Sequence, residues 1–184
     1  MHPALASLPI FSRMRSVELA VEMLALGARA PVVNALLDLP KTEVAKLSMV
    51  VADRAPPRGM LPSDPKWYSS TIRPRRAVQS AFFANVWFLV RSQRKCDSPA
   101  SHMLAAYKIF IRHFEGVGEE IILSFDRAWV LTRLLLGRSL VMVPCQSCNS
   151  HFVLQHDDLA HGYLCPFCRD LPSLRSPVSP RTVQ

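Results

Sequence analysis

Apolar residues recur at helical spacing through the first 137 residues of the chain. From Arg15 to Ala28 the stripe is Val17, Ala20, Val21, Leu24 and Ala28, with Gly27 near its end, which predicts an amphipathic helix. Pro31 suits the first turn of a second helix carrying Val32, Val33, Leu36 and Leu37. Asp38-Leu39-Pro40 breaks it, and a third helix is expected from Pro40 to Val50 with Val44, Leu47 and Val51 inward. Residues 53–66 hold Pro56, Pro57, Gly59, Pro62 and Pro65 and read as a linker, since so much proline cannot be helical.

Three further helices are expected. One carries Ala81, Phe82, Asn85, Trp87, Phe88 and Leu89. The next starts at Ser98-Pro99, an N-cap followed by an N1 proline, and presents Met103, Tyr107, Phe110 and Phe114. The last runs from Glu119 to Leu136 with Ile122, Phe125, Trp129 and Leu136 as its stripe and Gly137 as its stop. The aromatic stripes read as core, not as ligand boxes. After Arg138 the period shortens, and Leu140–Val143 and His151–Leu154 read as short strands around a cysteine pair. The predicted fold class is therefore mainly α. A helical N-terminal domain is followed by a small C-terminal four-cysteine, zinc-ribbon-like module. The expected divisions are a loose segment 1–14, a helical domain 15–138, a zinc-binding module 139–170 and a disordered tail 171–184 rich in Pro, Ser and Arg.

Composition agrees with a folded chain, at 49% hydrophobic and 20% charged residues. The net charge of +8 draws a protein toward polyanions, nucleic acid first among them. The most apolar run, Leu131 to Val143, is broken by Arg133 and Arg138 and falls short of the roughly 20 residues a membrane span needs. Arg13 and Arg15 follow the apolar start instead of preceding it, so no signal peptide is read there and a cytoplasmic location is expected. In a reducing compartment, clustered cysteines suggest metal more than disulfides.

The cysteines are the sharpest feature. Cys145-Gln-Ser-Cys148 and Cys165-Pro-Phe-Cys168 stand sixteen residues apart, a spacing of four-cysteine zinc sites. Each pair can close a tight turn on one ion, and Asn149 follows the first pair where left-handed backbone is often required. Four thiolates fill a tetrahedron, so the site is expected to be structural, with one zinc ion; iron is the alternative metal. His151, His156 and His161 lie between the pairs and read as surface residues, and Cys96 as an isolated packing residue.

Residues 31 to 50 read helix, break, helix, the outline of a helix-turn-helix. Its second helix would offer Lys41, Thr42, Lys46 and Ser48 to DNA. A second basic set, Arg73, Arg75 and Arg76, follows the proline segment, and either set suits phosphate contact.

Several stretches together resemble the FlhC family, the subunit that pairs with FlhD in the bacterial flagellar master regulator. They are Leu26-Gly-Ala-Arg29, Pro56-Pro-Arg-Gly-Met-Leu-Pro62 with Trp67 after it, Asn85-Val-Trp87, Ala106-Tyr107, Arg127-Ala-Trp129 and the two cysteine pairs. The resemblance covers Val17 to Cys168. It implies a helical N-terminal region and a zinc-binding C-terminal region with Cys145, Cys148, Cys165 and Cys168 as ligands. It also implies a hetero-oligomer with FlhD that recruits RNA polymerase to flagellar promoter DNA. Residues 1–14 have no place in the pattern, and the tail is short. An enzyme is not expected, because no metalloprotease His pair, Gly-rich phosphate loop or paired carboxylates occur. The alternative is a zinc-ribbon adaptor that binds protein only.

Overall fold

The computed structural model describes residues 9–51, 59–70, 72–95, 97–158 and 163–170. The segment 1–14 up to residue 8, Arg54, Pro56, Pro57, Arg58, Cys96, His161 and the tail 171–184 lie outside the described residues. Helices α1 (Pro9–Ala25), α2 (Ala30–Leu36), α3 (Lys41–Val51), α4 (Pro74–Gln93), α5 (Pro99–Gly116) and α6 (Phe125–Leu136) precede a hairpin of β1 (Leu140–Pro144) and β2 (His151–Gln155) and a short α7 (Pro166–Asp170). The mainly helical class with a C-terminal cysteine cluster is thus observed. Among the described residues no helix is long and apolar enough to cross a membrane. The chain divides into two compact units. One comprises Met1–Pro62 and Val86–Val130, the other Ser63–Asn85 and Leu131–Gln184, so the divisions fall inside α4 and α6.

In the first unit α3 packs against both α1 and α2. Two glycines close helices here in the same way. At the end of α1, Gly27 takes a φ of +85°, its N–H reaches the Leu24 carbonyl at 3.0 Å and the Ala28 N–H reaches Met23 at 2.9 Å. At the end of α5, Gly118 takes +68°, with Gly118 N–H to Glu115 at 3.0 Å and Glu119 N–H to Phe114 at 2.9 Å. A left-handed residue lets the chain turn back on orphan carbonyls, and glycine does so without a Cβ clash. The Ser98 hydroxyl caps α5 by accepting the Ser101 N–H at 3.2 Å, with Pro99 in the first turn. The stripe Met103, Tyr107, Phe110 and Phe114 is buried. Tyr107 stacks on Phe110 and meets Phe125 edge-on, and its hydroxyl donates to the Leu123 carbonyl at 3.0 Å.

An ion pair fastens this unit. Arg29, the N-cap residue of α2, is bonded through Nε to Asp126 of α6, and its backbone N–H donates to the same carboxylate at 3.0 Å. Its Nη1 and Nη2 reach the carbonyls of Gly59 and Met60 at 3.1 and 3.4 Å.

Several expectations are corrected. Helix α1 begins at Pro9, ahead of Arg15. Ser48 faces inward at 5% exposure, because Val44 and Ser48, four apart, share the packed face of α3. Helix α6 starts at Phe125, not Glu119: Gly118 has just closed α5, and Leu123 is buried with its carbonyl engaged by Tyr107. The buried apolar positions of α6 are Phe125, Ala128, Val130, Leu131 and Leu135, while Leu136 is 60% exposed. The left-handed residue after α6 is Arg138 (φ 58°), not Gly137. On α4 the buried residues are Ala77, Gln79, Ser80, Phe83, Ala84, Trp87 and Val90, and Phe88 and Leu89 are 42% and 54% exposed.

The second unit is built around the hairpin and the 63–85 segment. The strands pair antiparallel with Val143 opposite Phe152 and Pro144 opposite His151, as the short-period pattern predicted. Tyr68 and Phe83 are fully buried. Val143 and Phe152 form a small core with Cys145, Cys165 and Cys168, against which Ala81, Val141, Leu154, Tyr163 and Leu164 pack.

Candidate metal centre

The two cysteine pairs come together through local backbone chemistry. Strand β1 ends at Pro144 and delivers Cys145 into a turn. The Asn149 N–H closes that turn on the Cys145 carbonyl at 2.8 Å, and the Cys145 N–H donates to Ser150 at 3.0 Å. Asn149 takes a φ of 59°, the left-handed geometry expected of it and one that Asn tolerates. On the other side Cys165 leads into α7, which carries Cys168 one turn on. The Gln146 N–H donates to the Tyr163 carbonyl at 2.9 Å and ties the two turns together.

All four sulfurs lie within 4.8 Å of one another. Cys148 Sγ and Cys165 Sγ are 3.7 Å apart. A tetrahedron with metal–sulfur bonds of about 2.3 Å has edges of about 3.8 Å, so the observed separation suits one ion at the centre. Backbone amides point at the sulfurs, Cys165 N–H to Cys145 Sγ at 3.3 Å and Cys168 N–H to Cys165 Sγ at 3.5 Å. The cluster can therefore hold a metal ion and is compatible with zinc.

The thiols do not ionise alike. Burial works against the Cys145 thiolate, but the N–H groups of Cys165, Cys148 and Ser147 draw its pKa down to about 6. Cys148 is also lowered, first by the Ser150 hydroxyl and against the effect of burial. Burial pushes Cys165 up to about 12. The Ser147 hydroxyl favours the Cys168 thiolate, yet burial and the neighbouring Cys148 thiol raise it. Without a cation the cluster accepts negative charge on one pair and resists it on the other. A dication reached by all four sulfurs removes that conflict. His151 and His156 are exposed, with His156 3.8 Å from Asp157.

The basic residues fall in two places. Lys41, Thr42 and Lys46 are exposed on α3 in the first unit. Arg73, Arg75 and Arg76 belong to the second unit, where Arg73 precedes α4 and the other two occupy its first turn. Arg73 and Arg75 are exposed, whereas Arg76 is half-buried with its guanidinium 5.1 Å from the Trp67 ring. Sequence reasoning missed Asn85. Its side-chain amide donates to the Ala81 carbonyl at 2.8 Å and to the His151 carbonyl at 3.1 Å, and so holds the start of β2. The Asn85-Val-Trp87 stretch was visible in the sequence, but nothing local revealed that contact. Ser147 and Ser150, which act on the sulfurs, carried no signal beyond standing beside a cysteine.

Fold and site define a mainly helical protein with four cysteine sulfurs gathered closely enough to hold one metal ion. The profile of the flagellar transcriptional activator FlhC matches residues 6–177. The flagellar transcriptional regulator FlhC of Cupriavidus metallidurans is 33% identical over 164 residues, 88% of this chain and 75% of that protein. That of Cupriavidus necator is 31% identical over 163 residues, 89% and 77% of the two chains. The chain belongs to the FlhC family of flagellar transcriptional activators, a family of regulators of transcription and not of enzymes.

Proposed function

We propose that this chain is the DNA-binding subunit of a cytoplasmic activator that works with an FlhD partner and recruits RNA polymerase to flagellar promoters. Cys145, Cys148, Cys165 and Cys168 hold one structural zinc ion in the module 139–170. The observation that carries the reading is the four-sulfur cluster at tetrahedral separation in a chain of the FlhC family. Lys41, Thr42 and Lys46 stand exposed on the second helix of the α2–α3 pair while Val44 is buried, which supports a major-groove role for α3. Arg73, Arg75 and Arg76 supply phosphate contacts. The exposed Phe88 and Leu89 support a protein partner on α4; the buried stripe of α5 is interior and takes no part. The test is co-expression with an FlhD-like subunit, copurification, elemental analysis and footprinting on a flagellar promoter. Copurification, about one zinc per chain and a protected operator are expected. A chain that ignores the partner and protects no operator would refute the reading.

A further inference from the structure

Three of the four cluster cysteines are buried: Cys145, Cys165 and Cys168 are 2%, 5% and 3% exposed, packed in the small core with Val143 and Phe152. Cys148 is exposed, as are its chain neighbours Asn149 and Ser150. Its position explains this. It stands in the turn that Asn149 closes on the Cys145 carbonyl, ahead of β2, while Cys145 lies at the end of β1 and Cys165 and Cys168 lie at α7. A reagent dissolved in water can therefore reach one sulfur of the cluster far more readily than the other three. A second sulfur, on Cys165, lies 3.7 Å from it on the opposite pair.

We infer that Cys148 is a modification site for peroxides, and that its oxidation, resolved by Cys165, takes apart the four-sulfur centre. The inference rests on the proposal that the cluster holds zinc. In the first step the Cys148 thiolate attacks one oxygen of hydrogen peroxide. The O–O bond breaks, an S–O bond forms, and hydroxide leaves; sulfur is oxidised by two electrons as the peroxide is reduced. In the second step the Cys165 thiolate attacks the Cys148 sulfur. The S–S bond forms, the S–O bond breaks, and a second hydroxide leaves. Closing 3.7 Å to the disulfide length of about 2.05 Å requires only a local shift of the exposed turn that carries Cys148. Cys145 and Cys168 then remain as a two-sulfur set, too few to retain the ion. The small core of Val143 and Phe152 that the cysteines complete then loses its centre.

The experiment uses the full chain with Cys96→Ser, copurified with its partner, and measures metal content before any oxidant is added. Hydrogen peroxide is then titrated in, with released zinc read by a chromogenic chelator and disulfides mapped by mass spectrometry of unreduced peptides. In parallel, substoichiometric iodoacetamide maps the most reactive thiol. Expected are about one zinc released per peroxide consumed, a Cys148–Cys165 disulfide as the first product, and labelling of Cys148 about tenfold ahead of the other three. A zinc-loaded chain whose first disulfide joins another pair, or whose buried cysteines label as fast as Cys148, overturns the inference and leaves the zinc proposal standing. A reduced chain with no metal overturns both.

Discussion

Asp126→Ala tests the fastening of the first unit. Both partners of the ion pair are nearly buried, the Arg29 and Asp126 side chains being 11% and 8% exposed. The substitution removes the acceptor of the Arg29 Nε and that of its backbone N–H together. Stranding one member of a buried pair costs about 3–5 kcal/mol. The guanidinium would keep its bonds to the carbonyls of Gly59 and Met60, so the lower end, about 3 kcal/mol, is expected. Asp126→Asn retains an acceptor for the backbone N–H and should fall between Ala and the native residue. The double change Arg29→Met with Asp126→Leu removes both charges and should be less damaging than Asp126→Ala alone. Pulse proteolysis across a urea series reads these differences at low protein concentration. A loss below about 1 kcal/mol for Asp126→Ala, the range of solvent-exposed bridges, would refute the reasoning.

Tyr107 is raised well above its ordinary pKa of 10.0, by burial first and by the Asp126 carboxylate second. Its contribution is therefore intact below pH 10 and is lost as pH rises further, because only the unfolded tyrosine ionises there. Tyr107→Phe should flatten that alkaline fall in a urea-midpoint series while costing about 1 kcal/mol at neutral pH for the lost hydrogen bond to the Leu123 carbonyl. Cys148→Ser or Cys165→Ser should abolish metal retention and lose amide-exchange protection across residues 140–155 and 163–170, with α5 unchanged; full protection in a metal-free variant would contradict this. Arg75→Ala with Arg76→Ala should weaken binding to all DNA sequences alike and flatten the salt slope by about one or two units; an unchanged slope would place the phosphate contacts elsewhere. Thr42→Ala should instead narrow the affinity gap between operator and random DNA in competition binding, with the salt slope unchanged.

Features fixed by a few neighbouring residues were legible in the sequence. The Ser98-Pro99 start of α5, the buried stripe from Met103 to Phe114, the two strands, the left-handed Asn149 and the proximity of the four cysteines all follow from short-range spacing. What failed was decided at a distance. Glu119 and Glu120 look like the acidic start of a helix, but α6 waits until Phe125, with Ser124 just before it: the Ser124 carbonyl takes the Ala128 N–H at 2.9 Å. Between them the Glu119 N–H is held by the Phe114 carbonyl and the Leu123 carbonyl by the Tyr107 hydroxyl. Likewise the apolar residues of α4 outnumber those its neighbours cover, so periodicity alone could not say that Phe83 would be inside and Phe88 outside. Polarity alone puts Ser48 outward, yet one turn from Val44 it shares the packed face of α3 and is buried.

The second unit joins residues 63–85 to residues from 131 onward, and this gives the cysteine cluster a reach beyond its own loops. Ala81 packs on the core that contains Cys145, Cys165 and Cys168, and Asn85 bonds the first residue of β2. The opening turns of α4, with Arg75 and Arg76, are thereby attached to the core that the sulfurs complete. Arg76 is seated further by the Trp67 ring. A metal ion in the cluster would then stabilise the hairpin and, through Ala81 and Asn85, the segment that presents the arginines. Lys41, Thr42 and Lys46 belong to the other unit, on a helix packed by α1 and α2. The proposed phosphate contacts of α4 therefore depend on the thiolates, whereas the proposed base-reading face of α3 does not. The proposed metal site of this regulator gains its importance from that dependence.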